Sequence, residues 1–560
     1  MDDSPISRRR LLALSGAAAL HAACAQSIPA PARCLANPPQ LFPPAQPGPA
    51  DPLPGFTAER LSVRGYDEIH GMDADVHRPR SLEELQRMVA KAAEIGRKIT
   101  VRGGGMSLGE QSLGKTILLM DQPWLQHIGE VRRQGPDLVL TCGAGARWGD
   151  VVRRISEQGY VPRSVVTTGD ATVGGTAAVD GVARMSPLVG KEGEQITGLE
   201  MIDGTGARRA YADPSAPEFR AAIAGFGAVG VLTEVTFKVA RAIPGCRARP
   251  DVETQATRYM PGTYDWADLL RSIASDSRNL AARYQDYYAR GVTDAGVECT
   301  LPARSAVIGL SLVGWFAGEG LAIDRLEHRY VRGEPGLRIP GGLYAEDSGF
   351  ARFGDKVSAW SPTLSEMISS VGFPNGSYVD ELCGFLFFMG NSATPAIQSM
   401  RSQGSRLNFT QQTYVLPAPR RPSGAQDVAQ VTQFVSLVFA RCREREIRPF
   451  SVDFLALPAD HAFLSATRDL EGFCVNLTFA DQDAAEWLWI REALMALSND
   501  ALELGGRVHL VKNVEADPAD LRAMYRDGFR ELKAVKDRLD PRGVLTSAFY
   551  DRYFAGWKPS

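Results

Sequence analysis

Apolar residues recur at two periods along this chain, and the switches between them mark out its elements. Leu82, Leu85, Met88, Val89 and Ala92 share one face of a helix. Ser81 with Glu84 makes a capping box before it, and Gly96 ends it. Strands are predicted over 98–101, 116–120 and 138–142. Trp148, Val151, Val152 and Ile155 then predict a helix over 147–158, with Trp148 packed between helix and sheet. A helix over 218–223 and a strand over 231–239 follow. Beyond residue 244, strands over 305–316, 411–416, 450–457 and 473–479 alternate with long helices over 426–445 and 484–502. That pattern suits an α+β layer whose antiparallel sheet is covered on one face. The chain returns through 505–512 to a helix over 518–539.

Before residue 55 the pattern fails. Ser7-Arg8-Arg9-Arg10-Leu11-Leu12, an apolar run from Leu11 to Leu20 and Ala23-Cys24-Ala25 read as a twin-arginine signal peptide over 1–25. Export to the periplasm by the twin-arginine machinery is the expectation, with Cys24 as an alternative lipid-attachment site. Residues 26–54, rich in Pro and Ala, read as a linker. Cleavage after Ala25 leaves Cys34, Cys142, Cys246, Cys299, Cys383, Cys442 and Cys474, dispersed and odd in number, so at least one thiol is free. No His/Cys cluster has metal-ligand spacing, and no metal is expected.

At 560 residues the chain exceeds one ordinary core, so at least two domains are expected. The formal net charge of −3 makes nucleic acid an unfavoured partner. After residue 25 no apolar run is long enough to span a bilayer.

The segment Ile99-Thr-Val-Arg-Gly-Gly-Gly-Met-Ser-Leu-Gly-Glu-Gln-Ser112 carries the first chemistry. Three successive glycines permit φ > 0 and close approach, and consecutive N–H groups in such a turn bind anions. Ser107, Gln111 and Ser112 add side-chain donors. A phosphate cradle and a tight hairpin both satisfy these residues. Gly225-Phe-Gly227-Ala-Val-Gly230 matches G-x-G-x-x-G formally, but a helix precedes it and a strand follows. A dinucleotide fingerprint needs the reverse order.

Four further segments decide between the readings. GAGARWGDVV from Gly143, ATVGGTAA from Ala171, AGFGAVGVLTEVTF from Ala224 and LDPRGVLTSAFYDRYF from Leu539 follow the glycine segment in order. Together they resemble the PCMH-type FAD-binding family, also called vanillyl-alcohol-oxidase-like. The resemblance implies an α+β protein: a PCMH-type FAD-binding domain of two α/β subdomains over 55–243, and a substrate or cap domain with an antiparallel sheet over 244–504. Residues 505–560 would return to the FAD domain. It implies an FAD-dependent oxidoreductase that takes a hydride from a CH–OH or CH–NH carbon, reoxidised by oxygen or another acceptor. The alternative is a flavin-fold binding protein that has lost catalysis.

The same resemblance implies the site residues. Arg102, Gly103, Gly104, Gly105, Met106, Ser107, Gly109, Gly169, Thr172, Val173, Gly174, Gly175, Gly230 and Val231 would hold FAD. Pro162-Arg163-Ser164 and TVGGT resemble cytokinin dehydrogenases. That family's catalytic aspartate falls on Thr167 and its flavin-linking histidine on Met106, so non-covalent FAD is expected. Gly505-Gly-Arg-Val-His-Leu-Val-Lys512-Asn resembles decaprenylphosphoryl-ribose oxidase, which places Lys512 on an active-site lysine. A lysine there would stabilise the negative charge of reduced flavin. Asp170, His509, Tyr414, Gln411 and Asn476 are further candidates for binding or proton transfer.

Overall fold

The computed structural model describes residues 50–166, 169–241, 250–291, 307–317, 320–332, 408–449, 451–480 and 484–558. The expected signal peptide, most of the expected linker, Thr167, Cys34, Cys246, Cys299 and Cys383 lie outside the described residues. The three described cysteines, Cys142, Cys442 and Cys474, are buried free thiols.

Three sheets organise the described residues. In the first, the strands run Glu59–Arg64, Gly71–His77, Thr116–Leu119, Thr100–Arg102 across the sheet. The helix Leu82–Ile95 starts where expected: Ser81 accepts the Glu84 N–H, and Gly96 closes it at φ 69°. Its buried face, Leu85, Met88, Val89 and Ala92, joins Ile99, Leu118, Ile202, Val231 and Leu545 in one core. Thr100–Arg102 and Thr116–Leu119 pair in parallel. Parallel neighbours cannot be joined by a tight turn, so the hairpin reading of the glycine segment fails. Residues 103–115 are a crossover loop.

The second sheet is centred on Gly230–Arg241, which pairs with Asp137–Gly143 on one side and Ile196–Asp203 on the other. Trp148 opens the helix Trp148–Ser156, is 1% exposed and packs on Phe237 at a 5.0 Å centroid distance, the core role expected for it. The helix Pro217–Ala222 precedes this strand and confirms why the 225–230 glycines are not a dinucleotide fingerprint.

The third sheet is antiparallel and seven-stranded. Its order is Pro250–Tyr259, Gly320–Arg332, Val307–Ala317, Ser451–Leu457, Gly472–Ala480, Phe409–Pro417, Arg507–Val508. The helices Trp266–Gly291, Ala429–Glu444 and Ala484–Glu503 cover one face. Period-two alternation therefore sends Gln412 and Tyr414 into the helix layer, and Gln411 and Thr413 to the opposite face.

Two boundaries differ from expectation. Leu53 is fully buried in the core of the first sheet, so the fold begins inside the expected linker. Residues Arg507–Val508 extend the third sheet by pairing with Tyr414 and Val415, before the chain returns to the FAD-binding half. That return is completed by Ile99 and Leu545, which form a parallel bridge.

Candidate active site

A cleft runs between the glycine loop, the helix Val173–Ala177 and the Val511–Lys512 segment that follows the third sheet. One part, of about 140 Å³, is lined by residues 103–108, Thr172, Gly175, Thr176, Gly181, Val182, Val511 and Lys512, among others. The adjoining part, of about 70 Å³, shares Gly103, Ser107, Ser112, Thr172 and Gly175, and adds Phe226, Gly227 and Gly230.

The glycine loop fits a phosphate-bearing group. Among the described residues, none of the backbone N–H groups of 103–107 finds a protein acceptor. Half-buried amides in a row are an anion nest. Gly103 and Gly104 have no room for a side chain: a Cβ would lie 2.2 Å from Thr172 Oγ1 and 2.2 Å from the Asp170 carbonyl oxygen, respectively. Gly105 takes φ 76°, where a Cβ would strain the backbone. Arg102 stands behind the loop, donating to Ser112 Oγ at 2.9 Å and to the Arg64 carbonyl at 2.8 Å. Burial pushes its pKa down to about 10, so it remains a cation.

The paired glycines of the helix Val173–Ala177 divide their work. Gly174 donates to the Ala144 carbonyl at 2.8 Å, and a Cβ there would meet Ala144 Cβ at 2.6 Å; it is mainly a contact between helix and strand. Gly175 faces both parts of the cleft. Val173 and Val231 are fully buried in the core, and Gly109 and Gly169 hold loop geometry. These four, expected at the cofactor, do not line the cleft. Ala224 and Phe226, with φ 56° and 54°, wind the turn at the far end. Such non-glycine conformations cost about 1–3 kcal/mol each and cluster at functional sites.

The open face of the third sheet supplies a polar row. Register aligns Asp453, Asn476 and Thr413, with Thr478 opposite Gln411. Arg184 donates to Asp453 at 2.9 Å and Asn476 Nδ2 donates to its other oxygen at 3.2 Å. Thr413 Oγ1 donates to Asn476 at 2.6 Å, Gln411 Nε2 to Thr478 at 3.2 Å, and Lys512 Nζ to Gln411 Oε1 at 3.0 Å. Lys512 keeps some accessible surface, and it lines the cleft beside Met106. Burial lowers its pKa, with Asp453 opposing the shift.

Three expected residues stand elsewhere. Tyr414 is fully buried against Phe434, and its hydroxyl donates to the Leu494 carbonyl at 2.9 Å, away from the cleft. Asp170 accepts from Arg147 at 3.0 Å, and Arg147 also holds Asp121 at 2.6 Å; the Asp170 carbonyl, rather than its carboxylate, meets the glycine loop. His509 does not line the cleft; burial pushes its pKa down to about 3, so its ring is neutral.

Sequence reading missed Arg184, Asp453 and Glu192. Glu192 is 2% exposed, accepts from the cleft-lining Thr176 at 2.6 Å, and has its second oxygen unpartnered among the described residues. Burial raises its pKa well above the usual carboxylate range. Period two along 451–457 could have put Asp453 on one sheet face, but not which face meets the cleft. Beneath the cleft, Lys191, 2% exposed, bridges Asp180 and Asp460 and so ties the FAD-binding half to the cap.

A glycine nest between two sheets, with Lys512 on its lining, suits a phosphate-bearing cofactor. Comparisons with known proteins give the same class. Residues 74–210 match the FAD binding domain model, and residues 422–553 match the D-arabinono-1,4-lactone oxidase model. A putative D-arabinono-1,4-lactone oxidase of Neurospora crassa is 23% identical over 85% of this chain and 82% of its own length. D-arabinono-1,4-lactone oxidase of Eremothecium gossypii is 25% identical over 41% of each chain. An uncharacterized oxidoreductase of the fasciation locus of Rhodococcoides fascians is 27% identical over 31% of this chain and 39% of its own. The matches thus span about two-fifths of the latter two relatives. Cholesterol oxidase from Brevibacterium sterolicum shares the fold, with TM-score 0.57 and 14% identity over 90% of this chain and 100% of its own. Residues 74–210 thus carry an FAD-binding domain, the cofactor is FAD, and the chain is similar to PCMH-type FAD-dependent oxidoreductases. The narrower likenesses to cytokinin dehydrogenase and decaprenylphosphoryl-ribose oxidase are not what these matches show.

Proposed function

We propose that this protein oxidises a CH–OH carbon of a small, hydroxyl-rich substrate, with a sugar-derived lactone as the first class to test. The names of its lactone-oxidase relatives support that class, and so does the polar row. The observation that carries the reading is the position of Lys512, at the meeting of the glycine-loop cleft and that row.

Bound FAD supplies hydride acceptance and passes electrons to oxygen or another acceptor. The chain's residues do the rest. The free amides of 103–107 and the Arg102 charge hold the phosphates. Asp453, Asn476 and Gln411 offer donors and acceptors along adjacent strands, with buried Thr413 holding Asn476, a spacing suited to successive substrate oxygens. The Lys512 ammonium stabilises negative charge at the cofactor edge and orients a substrate oxygen. Asp453 is the carboxylate of the row and the group there able to accept a hydroxyl proton.

Met106 lines the cleft where a linking histidine would stand in related flavoproteins, so the FAD is held without a covalent bond. Acid precipitation should release it; flavin left on the denatured chain would refute this. Anaerobic mixing with aldonolactones and polyols tests the reaction, and bleaching of the flavin absorbance is the expected result. A yellow protein bleached by none of them would favour a binding role. Arg8 and Arg9 further support export by the twin-arginine route. Replacing both with Lys should retain the protein in the cytoplasm, and unchanged export would count against the signal.

A further inference from the structure

Gln111 lies in the polar turn after the three glycines, far from the C-terminus in sequence. In the fold its amide joins the two. Oε1 accepts the Gly109 N–H at 3.1 Å and so holds the turn. Nε2 donates to the carbonyls of Leu510 at 2.9 Å and Lys512 at 2.6 Å. Gln111 is 6% exposed and lines the cleft. Asn513 adds a second tie, donating to the Leu108 carbonyl at 3.0 Å and to Asp67 at 2.8 Å. Its side-chain Oδ1 accepts the Gln411 N–H at 2.9 Å. The short segment that carries Lys512 is therefore suspended between the cofactor turn and the cap sheet.

We propose that Gln111 is a positioning residue whose amide locks the Lys512 backbone to the cofactor turn. Filling the glycine loop with FAD and aiming the Lys512 ammonium then become one event. A lysine head on a four-carbon stem is placed by its backbone and by its partner, here Gln411. Release of the backbone would let the charge drift from where the reduced cofactor needs it. The inference deepens the role given to Lys512 above and rests on it.

Gln111→Glu separates shape from hydrogen bonding. It keeps the volume but replaces two donated bonds with a carboxylate facing two carbonyls. Protonation restores one donor, and burial moves that protonation upward in pH. Gln111→Met keeps the length and has no donor at any pH.

The readout is the two-electron midpoint potential of bound FAD, by equilibrium dye reduction of the holoprotein, with flavin content as the folding control. Lys512→Met should favour the oxidised form by about a hundredfold, ~60 mV at 30 mV per tenfold. Gln111→Glu should favour it by about tenfold at neutral pH, ~30 mV. Its difference from wild type should shrink as pH falls. Gln111→Met should show a similar shift without that recovery. If Gln111→Glu loses FAD, Gln111→Met decides alone. Potentials within a few mV of wild type for the Gln111 variants, beside a shifted Lys512→Met, would overturn the clamp alone. An unshifted Lys512→Met would overturn the Lys512 reading and the clamp with it.

Discussion

Lys512 and Gln411 meet across the join of the protein's two halves, with Lys512 Nζ donating to Gln411 Oε1 at 3.0 Å. Gln411 belongs to the cap sheet, while the Lys512 carbonyl is held by the cofactor turn. This hydrogen bond joins the cap sheet to the segment that Gln111 ties to the glycine loop.

Lys512→Ala should lower the rate of flavin reduction by roughly 10²–10³, the usual loss when one charged donor to a developing anion is removed. The protein should stay yellow, because the loop amides hold oxidised FAD. Stopped-flow reduction decides this, and a rate within a few-fold of wild type would place Lys512 outside the reaction. Burial depresses the lysine pKa, so its charge is lost below the pH at which free lysine titrates. The reduction rate should fall on that alkaline limb, and Gln411→Leu, which removes the acceptor, should move the limb lower.

Gly104→Ala and Gly175→Ala should fail differently. The first drives a Cβ to 2.2 Å from the Asp170 carbonyl oxygen, a backbone atom that cannot swing away. It should destabilise the apoprotein by about 1–3 kcal/mol, as overpacking does. At Gly175 the nearest atom to a Cβ is Thr172 Oγ1 at 2.9 Å, and the residue faces the cleft. That variant should melt near wild type and bind FAD more weakly. Thermal melts with and without FAD separate the two, and equal FAD affinity in Gly175→Ala would remove it from the cofactor surface.

His70 should make stability fall at high pH. Its ring contacts Asp67 at 2.5 Å and Glu515 at 3.5 Å. Burial disfavours its charge, but the two carboxylates prevail and raise its pKa from 6.5 to about 10. A raised pKa contributes fully below the unfolded value of 6.5 and is lost as pH rises through about 10. His70→Leu removes the cation between two buried carboxylates, which keep Asn513 and Arg491 as partners, and should cost at most roughly 3–5 kcal/mol near pH 6. Denaturant titrations should show the gap closing towards pH 10; a gap that stays constant would mean the ring is held neutral.

Asp453→Asn should act on substrate rather than on the fold. The carboxylate lies half-open beneath Arg184 and beside Asn476. Losing a charged hydrogen-bonding partner is worth about 1.5–3 kcal/mol, or roughly tenfold to a hundredfold in kcat/KM. Retained FAD should accompany that loss, with only a small fall in melting temperature from the lost Arg184 ion pair. Steady-state kinetics with the best substrate checks it, and unchanged kcat/KM would remove Asp453 from the site.

The sequence alone determined whatever depends on near neighbours. The helix Leu82–Ile95 with its Ser81 and Gly96 caps was legible because capping and apolar period act within a few residues. So were the glycine loop and the strand that rules out a dinucleotide fingerprint at 225–230. Tertiary structure decided which of these residues share a space. The hairpin reading fell because strand direction is a pairing between distant segments. Tyr414 and Gln411 lie three positions apart, and only the side on which the helices pack sends Tyr414 inward and Gln411 to Lys512. Asp453 and Arg184 are 269 positions apart, and no local signal joins them. Gln111 touches the backbone of residues 399 and 401 positions away, because a hydrogen bond follows distance in space and not along the chain.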